Sequence, residues 1–361
     1  MQNENLNGFI MNKDEKVVKI KDGKVDKILN KDLMPLYFLN HLSCEDWLKS
    51  RAIDSSRINS RLLKKALELQ NKDDLSTVLN VNGACITDNY WFMDEHMQGL
   101  LYDINIKFSF NEYFDLALTG NFNDFNKVPS PTPELTNIGS FEKAWKKEEN
   151  TWYLYKKGTI EEIFSEIFTF KLGEKLGFNM AEYEYAKPYI KSKNFTDDKK
   201  IFEPMSSIMN DNEDYNDNFN KLFDLDKNLA FDYLKIIYLD TLVFNVDRHT
   251  QNYGFLRSSK TGKILSLAPN FDNNLSLISR GYPKDITREN DRLLEFFTDF
   301  LEENTKTFNM FCNLDIKKIS ENDLDIIIDK MPKELIKDIN TEIIKEFVLN
   351  GQNSINENIN K

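Results

Sequence analysis

Apolar and polar positions alternate through "KVVKIKDGKVDKIL" (residues 16–29) and reverse at Asp22-Gly23. That period of two predicts a small β-hairpin. The period then lengthens. In "CEDWLKSRAIDSSRINSRLLKKALELQ", Leu62, Leu63, Ala66 and Leu67 share one side of a helical turn, which predicts an amphipathic helix. "GACITDNYWFMD" and "LYDINIKFSFNEYFDLAL" are rich in aromatic residues and fit strand or helix equally. Pro129, Pro131 and Pro133 in "NKVPSPTPELTNIGS" block both helix and ladder, and they mark a boundary after a first α/β region, residues 1–130.

Beyond the prolines the pattern repeats a definite order. A turn containing Gly139 leads to a strand, "TWYLYKKG", and a helix, "TIEEIFSEIFTFKLGEKLG", starts behind Gly158-Thr159 and stops at Gly177. "AEYEYAKPYI" reads as a further strand, and "FTDDKKIFEPMSSIMNDNEDYNDNFN" as a polar excursion, either ordered or a mobile loop. "NLAFDYLKIIYLDTLVFN" is an apolar helix that feeds the polar run "NVDRHTQN", followed by a short strand, "YGFL". The tail from about 288 to 350 carries Leu, Ile, Phe and Lys at helical spacing and reads as a bundle, with a frayed end in "NGQNSINENINK".

Composition narrows the class. With 361 residues, 40% of them hydrophobic and 12% aromatic, the chain is long enough for two or three domains with substantial cores. A net charge of −12 argues against broad binding to a phosphodiester backbone. Cys44, Cys85 and Cys312 lack any paired spacing, which excludes a disulfide framework or a structural zinc site. No signal core or membrane span stands out, so the expected setting is the cytoplasm.

Within "NVDRHTQNYGFL", Asp247, Arg248, His249 and Asn252 crowd into six positions of a chain that has only 3 histidines. Phosphoryl transfer calls for such a set. It needs a carboxylate at the acceptor hydroxyl, oxygen ligands for Mg²⁺, and a lysine on the phosphates with an acid to hold it. Asp247 and Asn252 stand five apart on one loop, and Asp272 follows "LAPNF" with a second carboxylate for the same metal. Lys156 ends the strand "WYLYK", and Glu166 lies two turns into the next helix, facing back toward it. Gly139 and the adjacent Ser140 form a turn whose amides can approach phosphate, and Lys143 adds a charge there. Each feature alone is ordinary. Their order is that of an α+β, two-lobed protein-kinase-like fold with a mixed α/β N-terminal extension and a helical C-terminal lobe. The expected divisions are residues 1–130, a small lobe over 131–205 and a large lobe over 206–361.

"NVDRHTQNYGFL…LAPNFDNNLSL" resembles the catalytic and metal-binding segments of the HipA-like serine/threonine kinase family, which includes HipA toxin and CtkA-type kinases. "DRHTQN" is also similar to the D-R-H-x-x-N loop of phosphatidylinositol kinases. "TNIGSFEK" matches the family's S-x-x-G-x-x-x-K phosphate loop at Thr136, Gly139 and Lys143, while "LYK" and "SEIFTFKLGEKLGFNMAEYE" match its lysine strand and acid helix. The resemblance implies an ATP- and Mg²⁺-dependent protein kinase with catalytic Asp247, metal ligands Asn252 and Asp272, and nucleotide contacts from Gly139, Ser140, Lys143, Lys156 and Glu166. It further implies a toxin role with an antitoxin protein as partner. Loop autophosphorylation would fall on Thr136 or Ser140.

Blander readings accompany these. His249 serves the loop structurally, and Arg248 either pairs with an acid or packs. Trp145 and Trp152 belong to the core, and "DNEDYNDNFN" lacks the glycine and terminal glutamate of an EF-hand and reads as a solvated loop. Two other functions remain open: a small-molecule or lipid-headgroup kinase, and a catalytically silent nucleotide-binding module.

Overall fold

The alternation over residues 16–29 becomes β2 (Glu15–Lys21) and β3 (Lys24–Ile28), joined where Asp22 and Gly23 adopt φ of 51° and 75°. With β1 (Gly8–Asn12) and β4 (Tyr90–Asp94) they make an antiparallel sheet of order β3-β2-β1-β4. The computed structural model describes residues 6–97, 99–121, 123, 125, 127–279 and 286–359. Its packing resolves two compact units. The first comprises the chain through Lys157, with Lys191–Glu203 and Phe255–Leu265.

A period of two sends neighbouring residues of this sheet into different cores. Ile10, Val18, Ile20, Tyr90 and Phe92 face Phe38, Trp47 and Leu48, whereas Met11 and Trp91 face Leu63, Tyr113, Leu116 and Leu135. The single amphipathic helix expected over residues 44–70 is instead two short helices, α1 (Cys44–Lys49) and α2 (Ser60–Ala66). The Asp54 carboxylate accepts both the N–H and the hydroxyl of Ser56, at 2.8 and 2.7 Å, and that local turn competes with helix. After α3 (Asp74–Leu79), the ambiguous aromatic segments resolve as β4 and as α4 (Phe114–Thr119), which stops at Gly120 with φ 75°.

The proline-rich segment does not separate compact units. Pro133–Thr136 form a buried 3₁₀ turn, and the fully buried Glu134 carboxylate gathers distant parts of the first unit. It accepts from Arg57 at 3.3 Å, Asn111 and Asn137 at 2.9 Å, and the Trp145 N–H at 2.7 Å. The prolines act here by fixing a turn rather than by loosening a linker. Next come β5 (Lys143–Glu148) and β6 (Thr151–Lys156), an antiparallel hairpin in which Trp145 is buried, as expected of a core residue.

The second unit comprises Gly158–Ile190, Pro204–Gly254 and Ser266–Lys361. α5 (Ile160–Leu176) begins at a reciprocal Thr159–Glu162 capping box and ends at Gly177, φ 81°. The stretch read as one strand is two neighbouring strands, β7 (Tyr183–Ala186) and β8 (Tyr189–Lys193). The polar excursion is ordered: β9 (Lys200–Pro204), α6 (Ser206–Met209) and α7 (Tyr215–Leu225). "DNEDYNDNFN" is therefore not a solvated loop. Asp214 caps α7 by accepting the Asp217 N–H at 2.8 Å, and Phe219 and Leu222 bury one face that the surrounding Asn and Asp obscured.

α8 (Lys227–Val243) is buried along most of its length, which accounts for its uninterrupted apolar sequence. β10 (Gly254–Ser258) and β11 (Ile264–Leu267) follow, with β10 central in the order β11-β10-β9. The helical tail is α9 (Arg292–Glu303), α10 (Thr305–Cys312), α11 (Glu321–Asp329), α12 (Lys333–Ile336) and α13 (Thr341–Ile359). The segment expected to fray is helical through Ile359, and its last two residues, 360 and 361, lie outside the described residues. Antiparallel strand pairs beside many helices make the class α+β, as expected. No helix among the described residues is long and apolar enough to cross a membrane.

Replacing Glu134 by Ala leaves the Arg57 guanidinium buried without its counter-charge. The expected loss is about 3–5 kcal/mol, read as a fall in urea midpoint.

Candidate functional site

The first unit carries the candidate phosphate-binding residues. Gly139 adopts φ 112°, a backbone conformation that favours glycine, and the flexible end of Lys143 lies against the space a Cβ would take. Lys143 opens β5 and lies directly across from Lys156, the last residue of β6. Opposed residues of an antiparallel pair project to one face. Two lysines thus share a face next to the glycine turn. Arg57 holds both ends of the loop, donating to the Asn137 carbonyl at 3.3 Å and to the Lys143 carbonyl. Thr136 is buried, and its hydroxyl donates to the Ala84 carbonyl at 2.7 Å, whereas Ser140 is exposed.

The second unit carries the candidate catalytic residues. α8 ends at Phe244, in the left-handed region at φ 54°, and the chain turns into the Asp247 loop. Arg288 caps this end of α8, donating to the Thr241 carbonyl at 2.9 Å and the Leu242 carbonyl at 2.6 Å. Arg248 is the centre of the arrangement. Its Nε and Nη2 grip the two oxygens of Asp240 at 2.8 and 2.9 Å, and both side chains are buried. Its Nη1 donates to the Asn252 carbonyl at 2.7 Å and to the Phe271 carbonyl at 2.9 Å, while Nη2 also reaches Asn270 and Asn273. Burial opposes this charge, but Asp240 chiefly, with Asp272 and Glu166 adding, outweighs it and holds the guanidinium above its ordinary pKa.

Asn252 donates its amide nitrogen to the Asp247 carbonyl at 3.0 Å, so its oxygen is the atom suited to a cation. Asp272 follows Phe271 at φ 63°, and its N–H donates to the Tyr183 hydroxyl at 3.1 Å. Asn252 and Asp272 are thus brought together through one guanidinium. Both present oxygen, the ligand type for a hard cation such as Mg²⁺, which takes few protein ligands and completes its shell with water and phosphate. No group of three or more His, Cys, Asp or Glu among the described residues is arranged to hold a metal ion.

Glu166, fully buried on α5, accepts the Asn273 N–H at 2.7 Å, and the Ser165 hydroxyl on the same helix donates to the Ser276 carbonyl at 2.8 Å. Glu166 belongs to the second unit and Lys156 to the first. His249 Nδ1 accepts the Gln251 N–H at 3.3 Å, in line with the structural role expected of it. The Tyr253 ring lies 5.3 Å from that of Tyr233 and its hydroxyl donates to Asn218 at 2.8 Å, which seats β10.

Sequence reasoning left out Asp240, Asn245, Asn270 and Asn273 from the second set and Arg57 and Glu134 from the first. Asp240 had a visible signal: a lone carboxylate inside "IIYLDTLVF" must be paired once buried. The asparagines had none, because an amide in a loop is ordinary.

No family model matches the chain, and no curated protein matches it. Among solved structures it is similar to the Helicobacter pylori proinflammatory kinase CtkA, at 21% identity and a TM-score of 0.47, over 60% of this chain and 91% of that one. It is also similar to HipA of Shewanella oneidensis, in a toxin–antitoxin complex with HipB and operator DNA, at 12% identity and a TM-score of 0.47 over 87% of both chains. These are HipA-like kinases, the family that the sequence motifs resemble. TM-scores below 0.5 assign no residue a role, so roles follow from this chain's own side chains.

Arg248→Lys keeps the charge and loses the fork, which a single ammonium cannot replace. The expected loss is about 3–5 kcal/mol of stability, measured by urea unfolding, because Asp240 remains buried without its bidentate partner.

Proposed function

We propose that the chain is an ATP- and Mg²⁺-dependent serine/threonine protein kinase of the HipA-like kind. The observation that carries this reading is Arg248 Nη1, which donates to both the Asn252 and the Phe271 carbonyls and so sets the Asp247–Asn252 loop beside Asp272. Asp247 orients the acceptor hydroxyl and takes its proton as the oxygen bonds to the γ-phosphorus and ADP departs. Asn252 and Asp272 would hold the metal, which when bound would neutralise phosphate charge. Lys156 grips the α- and β-phosphates with Glu166 in support, and the turn of Gly139 and Ser140 with Lys143 covers the nucleotide. In this reading residues 131–205 serve the nucleotide and residues 206–361 serve the metal and the acceptor.

The buried Thr136 hydroxyl, already donating at 2.7 Å, favours exposed Ser140 as the site of any loop autophosphorylation. HipA, which crystallised with HipB, supports an antitoxin protein as this chain's partner, in a cytoplasm that supplies ATP. Acceptor class is decided by incubating the protein with labelled Mg-ATP, with bacterial lysate proteins in one arm and low-molecular-weight alcohols in the other. Label on Ser or Thr of proteins supports the reading; label only on small alcohols replaces it with a small-molecule or headgroup kinase. ATP-dependent thermal stabilisation with no labelled product leaves a silent nucleotide-binding module.

Asp247→Asn should lower phosphate transfer by roughly 10²–10⁴-fold with an unchanged urea midpoint. Phosphopeptide mapping of a treated lysate against wild type makes that comparison.

A further inference from the structure

We propose that Asn273 is a positioning residue for the metal-binding carboxylate of Asp272, a role that rests on the kinase reading. Asn273 is fully buried and is held at each of its polar ends save one. Its N–H donates to Glu166 at 2.7 Å, and its carbonyl accepts the Ser276 hydroxyl at 2.7 Å. Its Oδ1 accepts from Arg248 at 2.7 Å and from Asn245 at 3.4 Å. The exception is Nδ2, which is buried with no hydrogen-bond partner among the described residues. Leaving a donor in that state is unfavourable, and an apolar residue would avoid it. The side chain is therefore kept for its oxygen, the atom on Arg248.

A neutral amide suits this place for a reason of charge. Arg248 already stands among Asp240, Asp272 and Glu166. An amide oxygen occupies one of its donors without adding a fourth carboxylate to compete for it. Arg248 then ties Asn273 to Asn252, and Asp272, at φ 63°, is fixed from the residue that follows it. Groups that orient metal ligands in this way commonly tune metal affinity by 10–100-fold.

The test measures the rise in melting temperature that Mg²⁺ adds to ATP, compared with ATP plus EDTA, across a Mg²⁺ titration. Asn273→Ala should raise the half-saturating Mg²⁺ concentration about tenfold or more and keep the shift caused by ATP alone. Ser276→Ala, which removes the anchor on the Asn273 carbonyl and a 3.4 Å contact with the Thr169 hydroxyl but leaves the Asn273 side chain on Arg248, should leave the Mg²⁺ midpoint near that of wild type. An unchanged midpoint in Asn273→Ala, or an equal change in Ser276→Ala, overturns the proposal. If Asn273→Ala does not fold, Asn273→Ser is read the same way; if neither folds, the residue is merely structural and the proposal fails. A wild type that gains nothing from Mg²⁺ defeats the kinase reading itself, and that outcome is distinct from a wild-type gain that Asn273→Ala leaves intact.

Discussion

The second unit depends on one buried ion pair, Arg248 with Asp240. A pair of this kind seldom earns its place by stability, since apolar residues of similar volume often do as well. Geometry explains it better. Asp240 occupies Nε and one side of Nη2, which fixes the plane of the guanidinium and aims Nη1 at two main-chain carbonyls. Those carbonyls belong to Asn252 and Phe271, residues that are far apart in sequence and sit at or beside the candidate metal ligands. The carboxylate comes from the last turn of the buried apolar helix α8, so the guanidinium is fixed to a regular element. The loop is thereby referenced to a helix by hydrogen bonds rather than by packing.

Local strain is distributed in keeping with this. Phe244 and Asp272 both adopt left-handed backbone, at φ 54° and 63°, although neither is glycine. Such conformations cost about 1–3 kcal/mol each and persist only where surrounding contacts over-determine them. Phe244 lies just beyond the α8 carbonyls capped by Arg288, and Asp272 lies between the Phe271 carbonyl on Arg248 and the Asn273 N–H on Glu166. Both strained residues flank the segments to which chemistry is assigned. At Asp272 the holding bond on the Phe271 carbonyl comes from the same Arg248 nitrogen that binds the Asn252 carbonyl.

Periodicity made most of the regular elements legible in the sequence. The β2–β3 hairpin, α5 between its caps and the apolar α8 all stand where the pattern put them, because one face or one capping residue governs each. Reading failed where a side chain competes with the backbone. Asp54 and Ser56 form a turn between two short helices where the Leu62–Leu67 spacing suggested one, and the Asn and Asp of residues 211–220 hide the apolar face of α7. At the site, the groups with intrinsic chemistry were visible as carboxylates, lysines and a glycine turn. The residues that arrange them were not. Asn245, Asn270 and Asn273 take part only because burial around Arg248 makes each oxygen count, and burial is not written in the local sequence.

The two candidate sets differ in the sign of the charge they gather. In the first unit, Lys143 and Lys156 stand opposite each other across β5 and β6. Nothing about a β-hairpin requires it, and a chain of net charge −12 had acidic residues to spare for one of those positions. In the second unit, the balance around Arg248 leans the other way, with Asp240, Asp272 and Glu166 about a single guanidinium. The two candidate sets are therefore opposite in sign: two lysines on one face of a hairpin in the first unit, and three carboxylates about one guanidinium in the second.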